Sequence, residues 1–473
     1  MGRPKFVQIP PQPLDRYRPL LGDGYEEIER TAARARRLFA GRAIWHVSST
    51  MRGGGVAEML RSLLPYVRGA GIDTRWVVLR EGADFYTVTK RLHNNLHGNP
   101  GDGGELGEDA RRTYEAALGD TGRQLTGLSQ PGDVVYLHDP QTAGLAPALR
   151  ECGLKVIWRC HIGVDNANEL VRRGWDFLGP YLESADAFVF SRREYLWDNL
   201  DQTRVWILPP SLDPFSAKNQ ELSVEAVAEI LGAIGLCPRQ AVGAPTFRRA
   251  DGTPGRVERA ADLFQVGPVP KDAKLIAQVS RWDALKDHLG VLECFANLDL
   301  GDVHLALAGP APEAVADDPE ADAVLGRLVE AWKGLDPEVR RRAHLVVLPM
   351  GDIDENGAMV NALQRRSDVL IQKSIAEGFG LTVAEGMLKR RPVIASRVGG
   401  IQDQIVDGES GILIDDPRDL VGFGRAIREL LEDPVCARRI GEAARRRVID
   451  RFLAVSRLRE YVDLVGGLIG PQL

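Results

Sequence analysis

Asp368-Val-Leu-Ile-Gln372 leads into Ser374-Ile-Ala-Glu-Gly-Phe-Gly-Leu-Thr-Val-Ala-Glu-Gly-Met387. An apolar run of strand length is followed by a turn containing glycines and then by a helix-forming segment. Gly378 and Gly380 allow a sharp reversal and a close approach of backbone to a ligand. The pattern predicts a helix starting near Leu381, whose first N–H groups lack partners inside the helix. Such a helix start favours phosphate or sugar oxygens. Glu377 and Glu385 stand eight positions apart here. Carboxylates suit hydroxyl donors, as on sugars and riboses, better than phosphate. Either Glu alone reads as a dipole-favoured or solvated helix residue. The pair around Gly378-Phe-Gly-Leu381 points to a pocket.

Upstream, Lys274 to Val279 reads as a strand and Ser280-Arg-Trp-Asp-Ala-Leu-Lys-Asp287 as the connection to a helix. Arg281 and Lys286 can converge on one anionic group, and a guanidinium with an ammonium suits a diphosphate. The alternative is two surface cations; the glutamate element in the same half favours the diphosphate. Further strands are expected at Val303–Leu307, Ala343–Leu348, Arg391–Ala395 and Gly411–Ile414, and a charged helical tail from Pro417.

The first half repeats the logic. A strand at Ala43–Val47 feeds Ser48 to Gly55, with Gly53, Gly54 and Gly55 in succession, and then a helix from Val56 to Arg68. The loop is not a Rossmann fingerprint; it reads as a flexible turn or as a ligand loop at a strand end. A helix at Tyr25–Ala40 carries no assigned chemistry. Strands at Thr74–Leu79, Asp133–Leu137, Lys155–Trp158, Ala185–Phe190 and Arg204–Leu208 alternate with helical patterns, which implies a parallel sheet. Their ends place His46, His138, Asp139 and His161 on one rim. The spacing of these residues carries no metal signature. His161, at a strand end beside Arg159, reads as functional over structural.

Residues 215–270 read as a connector, helical over Val224–Leu236 and loop-like over Gly243–Arg259. The expected domains are 1–268 and 269–450, with a last helix at about 451–473 packing back on the first. The fold class is α/β, two Rossmann-like open parallel sheets facing a central cleft. Clefts of that kind favour substrate binding, and closure would keep water from a reactive intermediate.

At 473 residues the chain exceeds one ordinary core. A net charge of −6 argues against a nucleic-acid partner. No apolar run reaches the roughly 20 residues that span a bilayer, so no membrane partner is expected. The first residues lack the apolar core of a signal peptide. The five cysteines, an odd number without paired spacing, read as thiols in a reducing compartment, hence a cytoplasmic location. A homodimer is compatible with the sequence.

The Glu377–Glu385 stretch resembles the donor-binding Glu-x7-Glu motif of family 4 retaining glycosyltransferases. With Ser280-Arg281 to Lys286 and Arg397-Val-Gly-Gly400 in the same order, the second half resembles the nucleotide-sugar domain of a GT-B enzyme. In the first half, Trp45-His-Val-Ser-Ser-Thr50, Gly53-Gly-Gly-Val-Ala-Glu58, Val88-Thr-Lys90, His138-Asp-Pro-Gln141, Trp158-Arg-Cys-His-Ile162 and Pro210-Ser-Leu-Asp-Pro-Phe-Ser-Ala-Lys-Asn219 look like the trehalose glycosyltransferring synthases. Related trehalose phosphorylases share much of this pattern. The resemblance implies that Arg281 and Lys286 hold the donor diphosphate and Glu377 the donor sugar. Gly378, Phe379, Gly380 and Leu381 would offer backbone groups, and Glu385 would bind the ribose. Gly53 to Gly55 would cover the donor phosphate, and His161 would lie at the donor sugar.

The implied partners are a nucleoside-diphosphate glucose, glucose and trehalose. The implied catalytic residues are His161, Arg281, Lys286 and Glu377; His138, Asp139 and Gln141 are candidates for the acceptor hydroxyls. No cofactor is required where Arg and Lys supply the counter-charge, and magnesium is compatible with a diphosphate. A phosphorylase, a family 4 transferase with another acceptor, and a sugar-sensing module without turnover are the competing readings. The donor base, read by loop contacts around Pro349 to Asp354, has no transferable code.

Overall fold

The computed structural model describes residues 5–51, 55–239, 243–312 and 320–470. The chain divides into two compact units, Met1–Leu212 with Phe452–Leu473, and Asp213–Arg451.

The first unit is built on strands β1 (Lys5–Val7), β2 (Ile44–Ser48), β3 (Thr74–Val78), β4 (Val134–His138), β5 (Lys155–Cys160), β6 (Ala187–Phe190) and β7 (Val205–Ile207), in the order β1-β3-β2-β4-β5-β6-β7. All neighbours are parallel except β1 on β3. The central strands are buried on both faces, which is why they read as continuous apolar runs. Trp45, Val47, Leu137, Trp158 and Phe190 share one core, each fully buried side chain of this size contributing about 1.5–3 kcal/mol. From β2 the chain builds to one side through β3, then crosses to the other through β4. The switch point therefore lies between β2 and β4, where open α/β sheets bind ligands. His46 on β2 and His138 at the end of β4 flank it. The edge strand β1 was not expected from its Pro-rich surroundings; three residues carry too little pattern.

The second unit holds a hairpin, β8 (Thr246–Arg248) with β9 (Pro254–Arg256), and β10 (Asp262–Phe264), β11 (Lys274–Val279), β12 (Val303–Pro310), β13 (Ala343–Leu348), β14 (Val369–Gln372), β15 (Val393–Ser396) and β16 (Ile412–Ile414). Its sheet order is β10-β13-β12-β11-β14-β15-β16, with β10 alone antiparallel. Here too the chain returns to its first parallel strand: β11 lies between β12 and β14. The switch point therefore falls between the segment after β11, which holds Arg281 and Lys286, and the segment after β14, which holds Glu377.

The expected boundary at 268 is corrected to Leu212. Residues 213–267 are not a neutral connector but are tied to the helix Ile353–Arg366. Its Asn361 Nδ2 donates to the carbonyls of Ala217 and Gln220 at 3.0 and 2.8 Å. Arg365 meets Glu221 at 2.6 Å and Arg249 meets Asp352 at 2.6 Å. Buried Glu355 accepts from the backbone N–H groups of Glu258 and Arg259 at 2.6 and 2.8 Å. A buried carboxylate needs such donors. The C-terminal stretch joins the first unit: Leu212 N–H donates to Phe452 O at 2.9 Å, and Ala454 N–H returns to Leu212 O at 3.0 Å. Among the described residues, no helix is long and apolar enough to cross a membrane.

Candidate active site

In the second unit, the connection after β11 is held rigidly before any ligand arrives. Trp282 is fully buried and its Nε1 donates to Pro310 O at 2.8 Å. Asp283 caps the short turn Ala284–Lys286 by accepting from Leu285 N–H at 2.8 Å. Asp287 adopts a left-handed backbone, φ 48°, and caps the helix His288–Ala296 through Gly290 N–H at 3.1 Å. Asp tolerates that conformation better than most residues. Ile375 N–H donates to Leu285 O at 2.7 Å, fastening the two switch-point segments together.

The result is one ion pair. Lys286 Nζ lies 2.6 Å from Glu377 Oε2, with the side chains 15% and 12% exposed. Ser374 Oγ donates to the same oxygen at 3.3 Å. Gly380, at φ 82°, starts the helix Leu381–Leu388 and, having no side chain, supplies no cap for its first N–H groups. Gln404 Nε2 donates to the carbonyls of Phe379 and Gly380, and Gly400 N–H donates to Gly378 O at 3.2 Å. A cation, a carboxylate and uncapped amides thus stand together on a braced turn. That set can receive a sugar hydroxyl and an anionic leaving group at one place. Arg281 is farther out, 34% exposed and 3.9 Å from Asp283 Oδ2.

Glu385 keeps different company from Glu377. It is buried; its Oε1 lies 2.9 Å from Lys218 Nζ, and its Oε2 accepts from Gln364 Nε2 at 3.4 Å. Beside it, Lys389 Nζ donates to Asn219 Oδ1 at 2.9 Å, and burial pushes the Lys389 amine down to about 7. Lys218, Ser374, Lys373 and Gln404 were not singled out as site residues from sequence. Lys218 is remote in the chain from Glu385. Lys373 is buried and paired with Asp287, a role that only the juxtaposition of β11 and β14 reveals.

In the first unit the three histidines form a chain, although His46 is buried in the middle of β2 and not at its rim as expected. His46 Nδ1 and His138 Nε2 are 3.0 Å apart, and His138 Nδ1 and His161 Nε2 are 3.1 Å apart. The rings stack at 5.3 and 5.4 Å, and His46 lies on Tyr136 at 4.9 Å. The register explains the diagonal: His46 faces Tyr136, and His138 faces Arg159, two positions before His161. Both ring nitrogens of His138 are occupied by imidazoles, which corrects its expected role at acceptor hydroxyls. Arg159 does not reach toward a ligand either. It is buried, bonded to Tyr461 and donating to Leu208 O at 3.0 Å. Asp139, at φ 63°, accepts from the backbone N–H of His161 at 2.7 Å and so fixes where His161 stands. Gln141 Oε1 is buried without a hydrogen-bond partner. Gly53 and Gly54 lie outside the described residues; Gly55 begins the helix Gly55–Gly69. Among the described residues, no group of three or more His, Cys, Asp or Glu is placed to hold a metal ion.

Burial sets the charge states. It pushes His46 down to about 3 and, with the Arg159 charge, holds His138 and His161 well below their ordinary value. His288 and His344 are likewise pushed down to about 3. These rings stay neutral in the folded chain and charge in the unfolded chain below about 6.5. Stability gained from them is present above about 6.5 and is lost as pH falls toward 3, by about 1.4 kcal/mol per pH unit for each ring. Asp139, raised to about 7 by burial, works the other way: its contribution falls as pH rises from about 4 to 7. The histidines outnumber it, so Tm is expected to drop steadily from pH 7 to 5 in calorimetry. Asp139→Asn, which keeps the acceptor for His161 N–H, is expected to steepen that drop. A flat Tm over this range would contradict the neutral rings.

The sequence family described as "Trehalose synthase, N-terminal domain" matches residues 46–197, and "Glycosyl transferases group 1" matches residues 260–447. A trehalose synthase of Pyrococcus horikoshii is 34% identical over 459 residues, 97% of each chain. A trehalose phosphorylase of Pleurotus pulmonarius is 26% identical over 477 residues, 95% of this chain and 60% of that one. A UDP-forming α,α-trehalose-phosphate synthase structure from Burkholderia xenovorans superposes with a TM-score of 0.67 at 15% identity, covering 91% of this chain and 100% of that one. The last shows the fold, two parallel-sheet α/β domains of the GT-B class. With a full-length relative at this identity and both halves matched, the chain belongs to the trehalose synthase family of glycosyltransferases.

Proposed function

We propose that the chain transfers glucose from a nucleoside-diphosphate glucose to free glucose, with retention at the anomeric carbon, and forms α,α-trehalose reversibly. The observation that carries this reading is the Lys286–Glu377 pair at 2.6 Å beside the uncapped helix start at Gly380. Glu377 accepts a donor-sugar hydroxyl. Lys286, Arg281 and the N–H groups of Phe379 to Leu381 stabilise the diphosphate as the C1–O bond breaks. The acceptor hydroxyl attacks C1 from the side the diphosphate leaves, and its proton passes to a leaving phosphate oxygen. Trehalose and the nucleoside diphosphate are the products. His161 lies at the donor sugar, and the unpartnered Oε1 of Gln141 accepts from the glucose acceptor. Glu385 Oε2, held by the longer contact to Gln364, is assigned to the ribose. No carboxylate serves as a nucleophile, so a two-step glycosidase route is not used. The Lys286 and Arg281 charges replace a metal; activity is expected to survive exhaustive EDTA treatment.

A phosphorylase would use phosphate where this reading uses the nucleotide, and Lys286 suits either leaving group. Similarity favours the synthase: the chain is 34% identical to the synthase relative and 26% identical to the phosphorylase. The test is incubation with glucose and, separately, ADP-, UDP- and GDP-glucose, with NMR of the products. A non-reducing α,α-1,1 disaccharide is expected with at least one donor. Glucose 1-phosphate from trehalose and phosphate, with no nucleotide-dependent product, would replace this reading with the phosphorylase.

A further inference from the structure

Three neutral imidazoles in a row obey a simple count. His46, His138 and His161 carry one proton each, and two of the three protons occupy the two N···N bonds of 3.0 and 3.1 Å. The third sits at one end, on His46 Nε2 or on His161 Nδ1. Only two arrangements satisfy both bonds. In one, every bond runs from His46 toward His161 and His161 Nδ1 carries a proton to donate outward. In the other, every bond runs back and His161 Nδ1 is a bare acceptor. The sense of hydrogen bonding at His161 is therefore tied to the ring of His46, which does not bond to it.

A second imidazole pair in the same chain shows what an anchored arrangement looks like. His304 Nδ1 and His344 Nε2 are 2.8 Å apart, and His344 Nδ1 lies 3.2 Å from Gln265 Oε1. The Gln265 amide is oriented by donation of its Nε2 to Gly235 O at 3.0 Å. Its carbonyl can only accept, so His344 Nδ1 donates and His304 Nδ1 must donate to His344. That polarity is locked. The three-ring chain contains no such lock: each inner nitrogen meets another imidazole, which can donate or accept. The charged groups around it are Arg159, which opposes a fourth proton, and Asp139, engaged with the His161 backbone. Tyr136 and Tyr461 cover the His46 side.

We infer that His46 and His138 are positioning residues that set, through this relay of hydrogen bonds, whether His161 presents a donor or an acceptor to the sugar. This rests on the reading of His161 as the residue at the donor sugar. Reversal of the relay releases the His161 Nδ1 proton to water and takes one from water at His46 Nε2, or the reverse, so the number of protons on the three rings is unchanged. His161 can then follow a hydroxyl that turns from acceptor to donor without acquiring charge in a site where burial disfavours it.

The test is 15N NMR of histidine-labelled protein without ligand, followed by kinetics. Through-hydrogen-bond N–N couplings are expected for His46–His138 and His138–His161 in the unsubstituted protein. His46→Phe keeps the stack on Tyr136 but leaves His138 Nε2 without its partner; the His161 15N shifts, which read the balance between its two tautomers, are expected to change. His46→Asn, whose amide can donate or accept at the Nδ1 position, is expected to restore them. In transfer assays His46→Phe is expected to lower kcat about tenfold with donor KM unchanged, and Asn to recover most of it. Absent couplings, or His161 shifts identical in the Phe variant, would overturn the relay. If His46→Phe does not fold, the couplings and the Asn variant decide it. If no donor is turned over by the unsubstituted protein, the proposed reaction fails while the spectra still judge the relay.

Discussion

Lys286→Met is expected to reduce kcat/KM for glucosyl transfer by about a thousandfold, the largest loss from any single substitution in the second unit. Two effects add. The ammonium that meets the leaving diphosphate is gone, and removal of one such preorganised group commonly costs 10²–10³ in rate. Glu377, 12% exposed, also loses its ammonium partner at 2.6 Å, while the Ser374 hydroxyl at 3.3 Å remains. Removing one member of a mostly buried ion pair is destabilising, by about 3 kcal/mol where the pair is fully buried. Glu377→Gln removes the charge while keeping the shape, and is expected to lose about a hundredfold, mainly in kcat. The double variant Lys286→Met with Glu377→Gln is expected to be no worse than Lys286→Met alone, because groups acting as a unit are not additive. Kinetics of the four proteins under one set of conditions close the cycle. Losses that simply multiply would mean that the two residues serve separate steps and that the pair is incidental.

Gly400→Ala is expected to cost about a hundredfold in kcat and about 2 kcal/mol of stability without touching any reacting group. A Cβ on Gly400 would stand 2.8 Å from Phe379 Cα and 2.9 Å from Gly378 O. Those are backbone atoms of the turn that presents Gly380 and the helix start, so relief requires the turn to move. The φ of Gly400 is −67°, ordinary for any residue, so the cost is space and not backbone strain. Gln404, bonded to the carbonyls of Phe379 and Gly380, resists the shift and passes it on. Gly127→Ala is the control: nothing lies within 4 Å of its Cβ position, on an exposed stretch of the helix Glu108–Leu128. It is expected to leave activity unchanged and to raise Tm slightly, since Ala is the better helix former. Full activity in Gly400→Ala would show that the turn tolerates displacement and that its rigidity is not part of the catalytic apparatus.

Much of the second unit was legible because its information is local. An apolar strand, a glycine turn and a helix start are coded within about a dozen residues, and the helix begins at Leu381 where the pattern places it. Glu377, Gly378 and Gly380 could be named for the same reason. The long central strands were readable by their unbroken apolar runs. The short strands β1, β8, β9 and β10 were not: they hold at most two adjacent apolar residues, whereas β7 and β16, equally short, are apolar throughout.

By itself, then, the sequence determined the two α/β halves, the placement of His138, His161, Arg281 and Lys286 at or just after strand ends, and the strand, turn and helix that carry Glu377 and Glu385. Only the tertiary structure decided which charges meet. Glu377 pairs with Lys286 and Glu385 with Lys218, although the two glutamates look equivalent in the chain. It also decided that residues 213–267 belong to the second unit, and that three histidines from three strands join into one hydrogen-bonded row. The physical reason is common to all three. Hydrogen bonds and ion pairs depend on ångström distances between residues far apart in sequence, and those distances follow from sheet order and register, which no local pattern encodes.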